Sequence, residues 1–209
     1  MHPAPALPRR LFLTGTDTDV GKTITAAALC RAHQLRYWKP IQAGTADGTD
    51  RERVATLAGV ETLPERWRLA RACSPHRAAM DEGVVLRVAD LDAPPGDRLL
   101  VEGAGGWMVP LGPGLWTRDL ALRLGLPVVV VCRTGLGTLN HTCLTARTIR
   151  ADGLKLAGLI AVGDPHPENL ADLPGLTGAP LLGWLPRVTD PAADFATLVA
   201  AAASIPLDA

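Results

Sequence analysis

Apolar runs punctuate the chain at residues 10–14, 37–41, 99–101, 127–132, 157–162 and 181–185. Several carry no polar alternation, most plainly Val128-Val129-Val130-Val131. A strand wetted on one side alternates apolar with polar residues. An unbroken apolar run therefore reads as a strand covered on both faces, as in a parallel sheet. Helical patterns fill the gaps at residues 23–34, 51–58, 117–124, 139–151 and 192–202. This alternation predicts an α/β fold, a doubly wound and mostly parallel sheet with helices on both faces. Neither a repeat nor a linker interrupts it, so residues 1–209 read as one domain. Residues 71–97 hold prolines and no strong period, which predicts a helix with loops.

In such sheets ligands bind beyond the carboxyl ends of the strands. The first of these ends is the most informative. Leu11-Phe12-Leu13 leads into Gly15-Thr16-Asp17-Thr18-Asp19-Val20-Gly21-Lys22-Thr23, which opens a helix. A strand, a glycine-bounded loop and a helix beginning Gly-Lys-Thr form a phosphate loop (P-loop). Successive N–H groups and the positive helix end attract a polyphosphate. Lys22 reaches the outer phosphates and the Thr23 hydroxyl suits Mg²⁺. Five residues separate Gly15 from Gly21, one more than the usual spacing, so Thr16 stands where the short form has glycine.

Other strand ends carry further candidates. Glu102 precedes Gly103-Ala104-Gly105-Gly106 and is placed to bind Mg²⁺ directly or through water; taken alone, it reads equally as a solvated carboxylate before a turn. Lys39 interrupts the second run just before Pro40, which cannot donate to a ladder and marks an end or an edge. Its ammonium there could stabilise charge on a transferred phosphoryl group, with more effect on turnover than on folding. Thr49 and Glu52 have capping-box spacing, which makes Asp50 either a first-turn acid or a third Mg²⁺-site oxygen. Thr138 is a plausible cap for a helix whose start, residues 137–140, suits an anion. His76 and His141 lack a visible nucleophile and read as structural.

Bulk properties narrow the class. The 209 residues include 21 Lys plus Arg and 21 Asp plus Glu, a formal charge of zero. That speaks against a general nucleic-acid or membrane-surface binder. Cys30, Cys73, Cys132 and Cys143 are scattered without C-x-x-C spacing, so neither metal ligation nor a disulfide framework is expected. Residues 1–10 are proline-rich without an apolar signal core, and no apolar stretch reaches membrane-span length. A soluble, cytoplasmic protein is expected.

The loop Gly15 to Thr23, Lys39-Pro40, Val101-Glu102-Gly103-Ala104-Gly105-Gly106 and Gly137-Thr138-Leu139-Asn140-His141 strongly resemble the dethiobiotin synthetases. Ser74-Pro75-His76 and Pro180-Leu181-Leu182-Gly183 add weaker matches, and the order agrees from about Leu11 to Pro186. The resemblance implies a P-loop NTPase-like homodimer. It would use ATP, Mg²⁺ and carbon dioxide to close a ureido ring on 7,8-diaminononanoate, the penultimate step of biotin synthesis. A carbamate and a carbamic-phosphoric anhydride would be the intermediates. By position, Lys39 would touch carbamate and γ-phosphate, and Lys22 would be the phosphate-loop lysine. Thr23, Asp50 and Glu102 would hold Mg²⁺. Thr18, Asp19, Val20, Gly21, Lys22, Thr23 and Ile24 would line the nucleotide, with Gly103, Ala104, Gly105, Val162, Gly163, Leu185, Pro186 and Arg187. Ala43 and residues Gly137, Thr138, Leu139 and Asn140 would face the substrate, the last four across the dimer interface.

Three positions depart from the family pattern. Asp19 stands where Glu is common, Ala43 replaces a serine, and Val162-Gly163 replaces an Asn-Asp pair that reads adenine in some members. Neither Val nor Gly offers a side-chain donor or acceptor, which points to weak base discrimination or to a base other than adenine. Two related scaffolds fit less well. Cobyrinate- and cobyrate-type amidotransferases append a glutaminase with a nucleophilic cysteine, and no cysteine follows Cys143. Partitioning and cell-division ATPases often place a second lysine near the start of the loop, where Thr16 stands.

Overall fold

The computed structural model describes residues 5–208, so the first four residues of the proline-rich start lie outside the described residues. The strands are β1 (Arg10–Gly15), β2 (Arg36–Trp38), β3 (Ile41–Ala43), β4 (Thr62–Leu63), β5 (Trp67–Leu69), β6 (Leu99–Gly106), β7 (Pro110–Gly112), β8 (Leu115–Trp116), β9 (Val128–Arg133), β10 (Leu156–Val162) and β11 (Leu181–Leu185). The helices are α1 (Lys22–His33), α2 (Asp50–Ala58), α3 (Pro75–Asp81), α4 (Thr117–Leu124), α5 (Thr138–Ala151), α6 (Pro167–Thr177) and α7 (Phe195–Ala203). Seven strands form one sheet in the order β11-β10-β9-β1-β6-β2-β4, with every pair parallel.

The unbroken apolar runs have a simple physical origin. Successive side chains leave a strand on opposite faces. Leu11 and Leu13 enter one core while Phe12 enters the other. Val129 and Val131 likewise part from Val128 and Val130. One core takes Ala26 to Cys30 of α1 with Leu198 and Ala202 of α7. The other takes Leu120 of α4, Ile149 of α5 and Leu173 of α6. The sheet is thus covered twice, as the sequence pattern predicts, and Cys30 and Cys132 are buried within it as free thiols. Burial pushes the Cys132 thiol up to about 11.

The run at residues 37–41 is not one strand. β2 stops at Trp38, and β3 starts after Pro40 in a separate two-stranded sheet with β5. Pro40 lacks the N–H the ladder needs, and its carbonyl instead accepts from Arg66 and Trp67 N–H at 2.8 and 3.0 Å. β6 runs on past residue 101 to Gly106, so Glu102 sits within the strand, opposite Leu13. Helix α6 has no counterpart in the sequence reading, because Pro174 and Gly175 hide its period. Pro167 opens it, where a missing N–H costs nothing. The last helix begins at Phe195 and not at Ala192, since Asp190 Oδ1 holds Ala192 and Ala193 N–H in a turn. Residues 71–97 hold α3 and a 3-10 turn at Val88–Asp90 among loops.

Close packing of β10 on β11 gives a test of the fold. A Cβ on Gly158 would come within 2.5 Å of Leu182 Cγ. Gly158→Ala should cost about 1–3 kcal/mol by overpacking, read as a lower denaturant midpoint with an unchanged slope.

Candidate functional site

β1 delivers the chain to the middle of the sheet edge, between β6 and β9. There it turns through residues 16–21 into α1. Gly15 must be glycine, because a Cβ would lie 2.6 Å from Val20 Cγ1. Gly21 caps α1 at φ 99°, a left-handed conformation that glycine adopts without strain, and offers no capping side chain. The first N–H groups of α1 therefore keep their capacity for an anion. Asp19 also has positive φ, at 53°. Lys22 is buried and its Nζ donates to Asp17 O across the loop at 2.9 Å. Burial lowers its pKa, against the opposing pull of Glu102.

Beside this loop four elements meet. β6 carries Glu102, 1% exposed. The end of β2 presents Lys39. A complete capping box at Thr49 and Glu52 starts α2 and places Asp50 at its first position. Thr23 comes from α1. Glu102 Oε1 accepts from Thr23 Oγ1 and from Lys39 Nζ, each at 3.0 Å. Its Oε2 accepts from the Tyr37 hydroxyl at 2.9 Å. Lys39 Nζ also donates to Asp50 Oδ2. Gln42 closes the outer side, its Oε1 accepting from Asp50 N–H at 3.2 Å.

The electrostatics follow from that arrangement. Burial pulls the Lys39 pKa down, but Glu102 and Asp50 together outweigh it and the net shift is upward. Burial pushes Asp50 up, yet the charge and hydrogen bond of Lys39 prevail and hold it below its ordinary value. Tyr37 lies well above its ordinary value, first through burial and then through the charge of Glu102.

Two carboxylates and a hydroxyl are hard oxygen donors and fit Mg²⁺, which keeps several waters and shares phosphate oxygens. The described residues hold no cluster of three or more His, Cys, Asp or Glu. The Lys39 ammonium already lies between the two carboxylates, so the pocket is shown to accept positive charge.

An open cavity of about 1250 Å³ surrounds this cluster. Its wall includes Thr18, Asp19, Gly21, Lys22, Thr23 and Ile24 from the loop and helix, with Lys39, Ala43, Asp50, Glu102, Ala104 and Gly105. Other expected residues stand off the wall. Val20 is buried beneath the loop, and Gly103 packs where a Cβ would meet Phe12 Cζ at 2.9 Å. Val162 backs Gly21, and the Gly163 carbonyl accepts from Trp184 Nε1 at 2.9 Å. Leu185 is buried, Pro186 half-buried and Arg187 exposed. Gly137, Thr138, Leu139 and Asn140 start α5, away from this wall in the single chain. Gly137 is the cap there; Thr138 is buried at the next position and donates to Arg133 O at 2.6 Å. His141 is exposed, and His76 Nδ1 is buried without a partner. Ser74 and Pro75 of the weaker family match line the cavity with Cys73; Ala72, residues 190–192 and Gln42 line it too and carry no signal in the sequence. Tyr37 was missed too, although Tyr37 and Lys39 share the two-residue spacing of one strand face.

Fold and loop together define a P-loop NTPase-like α/β protein. The same fold appears in MinD from Pyrococcus horikoshii OT3, at TM-score 0.54 and 15% identity, covering 96% of this chain and 87% of that one. A ParA family ATPase from Chlorobium tepidum TLS shares it at TM-score 0.51 and 11% identity, covering 94% and 91%. The family model described as an AAA domain matches residues 9–193. The ATP-dependent dethiobiotin synthetase of Novosphingobium aromaticivorans is 49% identical over 179 residues, covering 84% of this chain and 87% of that protein. The corresponding synthetase of Rhizorhabdus wittichii is 45% identical over 200 residues, covering 94% and 95%. The chain belongs to the dethiobiotin synthetase family.

The geometry revises one expectation. Lys39 was expected to matter little to folding, but it is buried against two carboxylates. Lys39→Ala strands Glu102 and should cost about 3–5 kcal/mol. Asp50, whose pKa folding depresses, adds stability above its unfolded value and loses it as pH falls through the folded one. Without Lys39 that part of the acid limb should flatten, as denaturant titrations at stepped pH will show.

Proposed function

We propose that this chain makes dethiobiotin from 7,8-diaminononanoate, carbon dioxide and a nucleoside triphosphate by using its loop, Lys39 and its carboxylates as a positioning and charge-neutralising frame. The observation that carries this reading is the joining of the loop to the Thr23–Glu102–Lys39–Asp50 cluster in one cavity. Loop N–H groups and Lys22 grip the triphosphate tail. Thr23, Asp50 and Glu102 would hold Mg²⁺, which would supply neutralisation of phosphate charge.

One substrate amine takes up carbon dioxide as a carbamate. A carbamate oxygen takes the γ-phosphoryl group as its bond to the nucleoside diphosphate breaks and the diphosphate leaves, and the second amine, giving up a proton, then attacks the anhydride carbon. The ureido ring closes and phosphate leaves. Lys39 serves this sequence as a fixed ammonium spanning carbamate and γ-phosphate. Held between Glu102 and Asp50, its ammonium is placed to clamp charge. No protein nucleophile is required; orientation in a confined site supplies much of the acceleration.

The dimer belongs to the same reading. The start of α5 stands off the cavity of its own chain, and Leu136 and Leu144 beside it are exposed apolar side chains. A second copy covering them would bring residues 137–140 to the substrate's distal carboxylate, which the positive end of a helix suits. The whole assembly is then a cytoplasmic homodimer of one-domain chains. No helix of the described residues is long and apolar enough to cross a membrane.

Two measurements test this reading. Incubation with diaminononanoate and labelled bicarbonate should give labelled dethiobiotin by mass spectrometry, and triphosphate hydrolysis should require both. Hydrolysis stimulated by DNA or lipid would sink it. The second concerns the base. Val162 and Gly163 have no side-chain polar group. Catalytic efficiencies for ATP, CTP, GTP and UTP should therefore lie close together or favour a base other than adenine; a large ATP preference would refute weak discrimination.

A further inference from the structure

Glu102 is held by a residue outside every motif considered so far. Tyr37 is the single tyrosine of the chain and is fully buried. β2 and β6 run parallel with Tyr37 opposite Leu100, and both side chains enter the core beneath α1. Glu102 lies two residues further along β6, on the same face as Leu100. The phenol reaches along the strand, and its hydroxyl donates to Glu102 Oε2 at 2.9 Å.

That contact divides the work of the two carboxylate oxygens. Oε1 faces Thr23 and Lys39, and Oε2 faces only the phenol among the contacts of this cluster. The last torsion of a glutamate side chain is broad, so packing alone sets the carboxylate plane poorly. A donor fixed by a buried ring sets it well. A buried hydroxyl in turn needs an acceptor, and the ring is large and wholly enclosed. Tyr37 cannot serve as a catalytic residue, since it does not line the cavity.

We propose that Tyr37 is a positioning residue that fixes the Glu102 carboxylate so that Oε1 is presented to the cation carried by the nucleotide. The inference rests on the reading of Glu102 as a Mg²⁺-site oxygen. Outer partners of this kind affect metal affinity by about 10–100-fold.

The test uses ADP binding by calorimetry to the full chain, with Mg²⁺ and with EDTA. In wild type Mg²⁺ should tighten ADP binding. Tyr37→Phe, which keeps the ring, should reduce that Mg²⁺ gain roughly tenfold and leave binding in EDTA unchanged. In a Glu102→Gln background the same Tyr37→Phe change should cost nothing more. Trp38→Phe, whose indole N–H donates instead to Pro64 O, serves as the neighbouring control and should leave the gain unchanged. An equal cost of Tyr37→Phe in both backgrounds, or in EDTA as much as in Mg²⁺, makes the role merely structural and overturns the proposal. If Glu102→Gln itself leaves the Mg²⁺ gain intact, the reading of Glu102 falls and this inference with it. If only Tyr37→Phe is silent, the inference alone falls.

A second measurement does not depend on a variant at residue 37. Because tyrosine occurs once, 3-fluorotyrosine labelling of the wild type gives a single ¹⁹F resonance. It should move when Mg²⁺ is added to the ADP complex and should not move in Glu102→Gln. A resonance indifferent to Mg²⁺ in wild type overturns the proposal.

Discussion

The structure turns on one buried negative charge. Glu102 lies inside the sheet between β1 and β2, where water cannot solvate it. An ionised carboxylate in such a place survives only with donors and a counter-charge. Three other residues supply them: Thr23 from the first helix, Lys39 from beyond β2, and Tyr37 from within β2. Asp50 joins through the same ammonium. The elements that position the site are therefore pinned to each other by the electrostatics of one side chain.

The phosphate loop shows the complementary condition. Thr16 and Thr18 N–H are taken up within the fold, by Val131 O and Asp17 Oδ1, but the first N–H groups of α1 meet no capping side chain, because Gly21 brings none. Lys22 rests meanwhile on the carbonyl of Asp17, a neutral partner that it can exchange for a stronger anion. Cationic donors and anionic acceptors thus face the same cavity in adjacent patches. That is the charge pattern a metal-bearing polyphosphate requires, and an apolar substrate would gain little from it.

The strands were legible because burial on two faces leaves a plain signature. Val128 to Val131 admits few other readings, and the loop Gly15 to Thr23 carries its chemistry in its order. Failures have physical causes of the same plainness. Helix α6 escaped because Pro174 and Gly175 sit among its few apolar positions. β4 and β8 are two residues long, too short for any period to register. Residues 37–41 look like one strand, although Pro40 forces them into two sheets. Of the site, Lys22, Thr23, Lys39, Asp50 and Glu102 could be named from strand ends and motif. Tyr37 and Gln42 could not, since nothing local distinguishes a core tyrosine from one that bonds a carboxylate.

By itself the sequence determined the layer architecture, the phosphate loop and the identity of the charged side chains. These depend on periodicity and on spacing between near neighbours, which a linear chain records. The tertiary structure alone decided that Lys39, 63 residues from Glu102, is its buried counter-ion, and that Tyr37, 65 residues away, is bonded to the same carboxylate. Those contacts arise from strand order, which brings β2 beside β6. Strand order is settled by how the two cores close around the sheet, and no short stretch of chain encodes it.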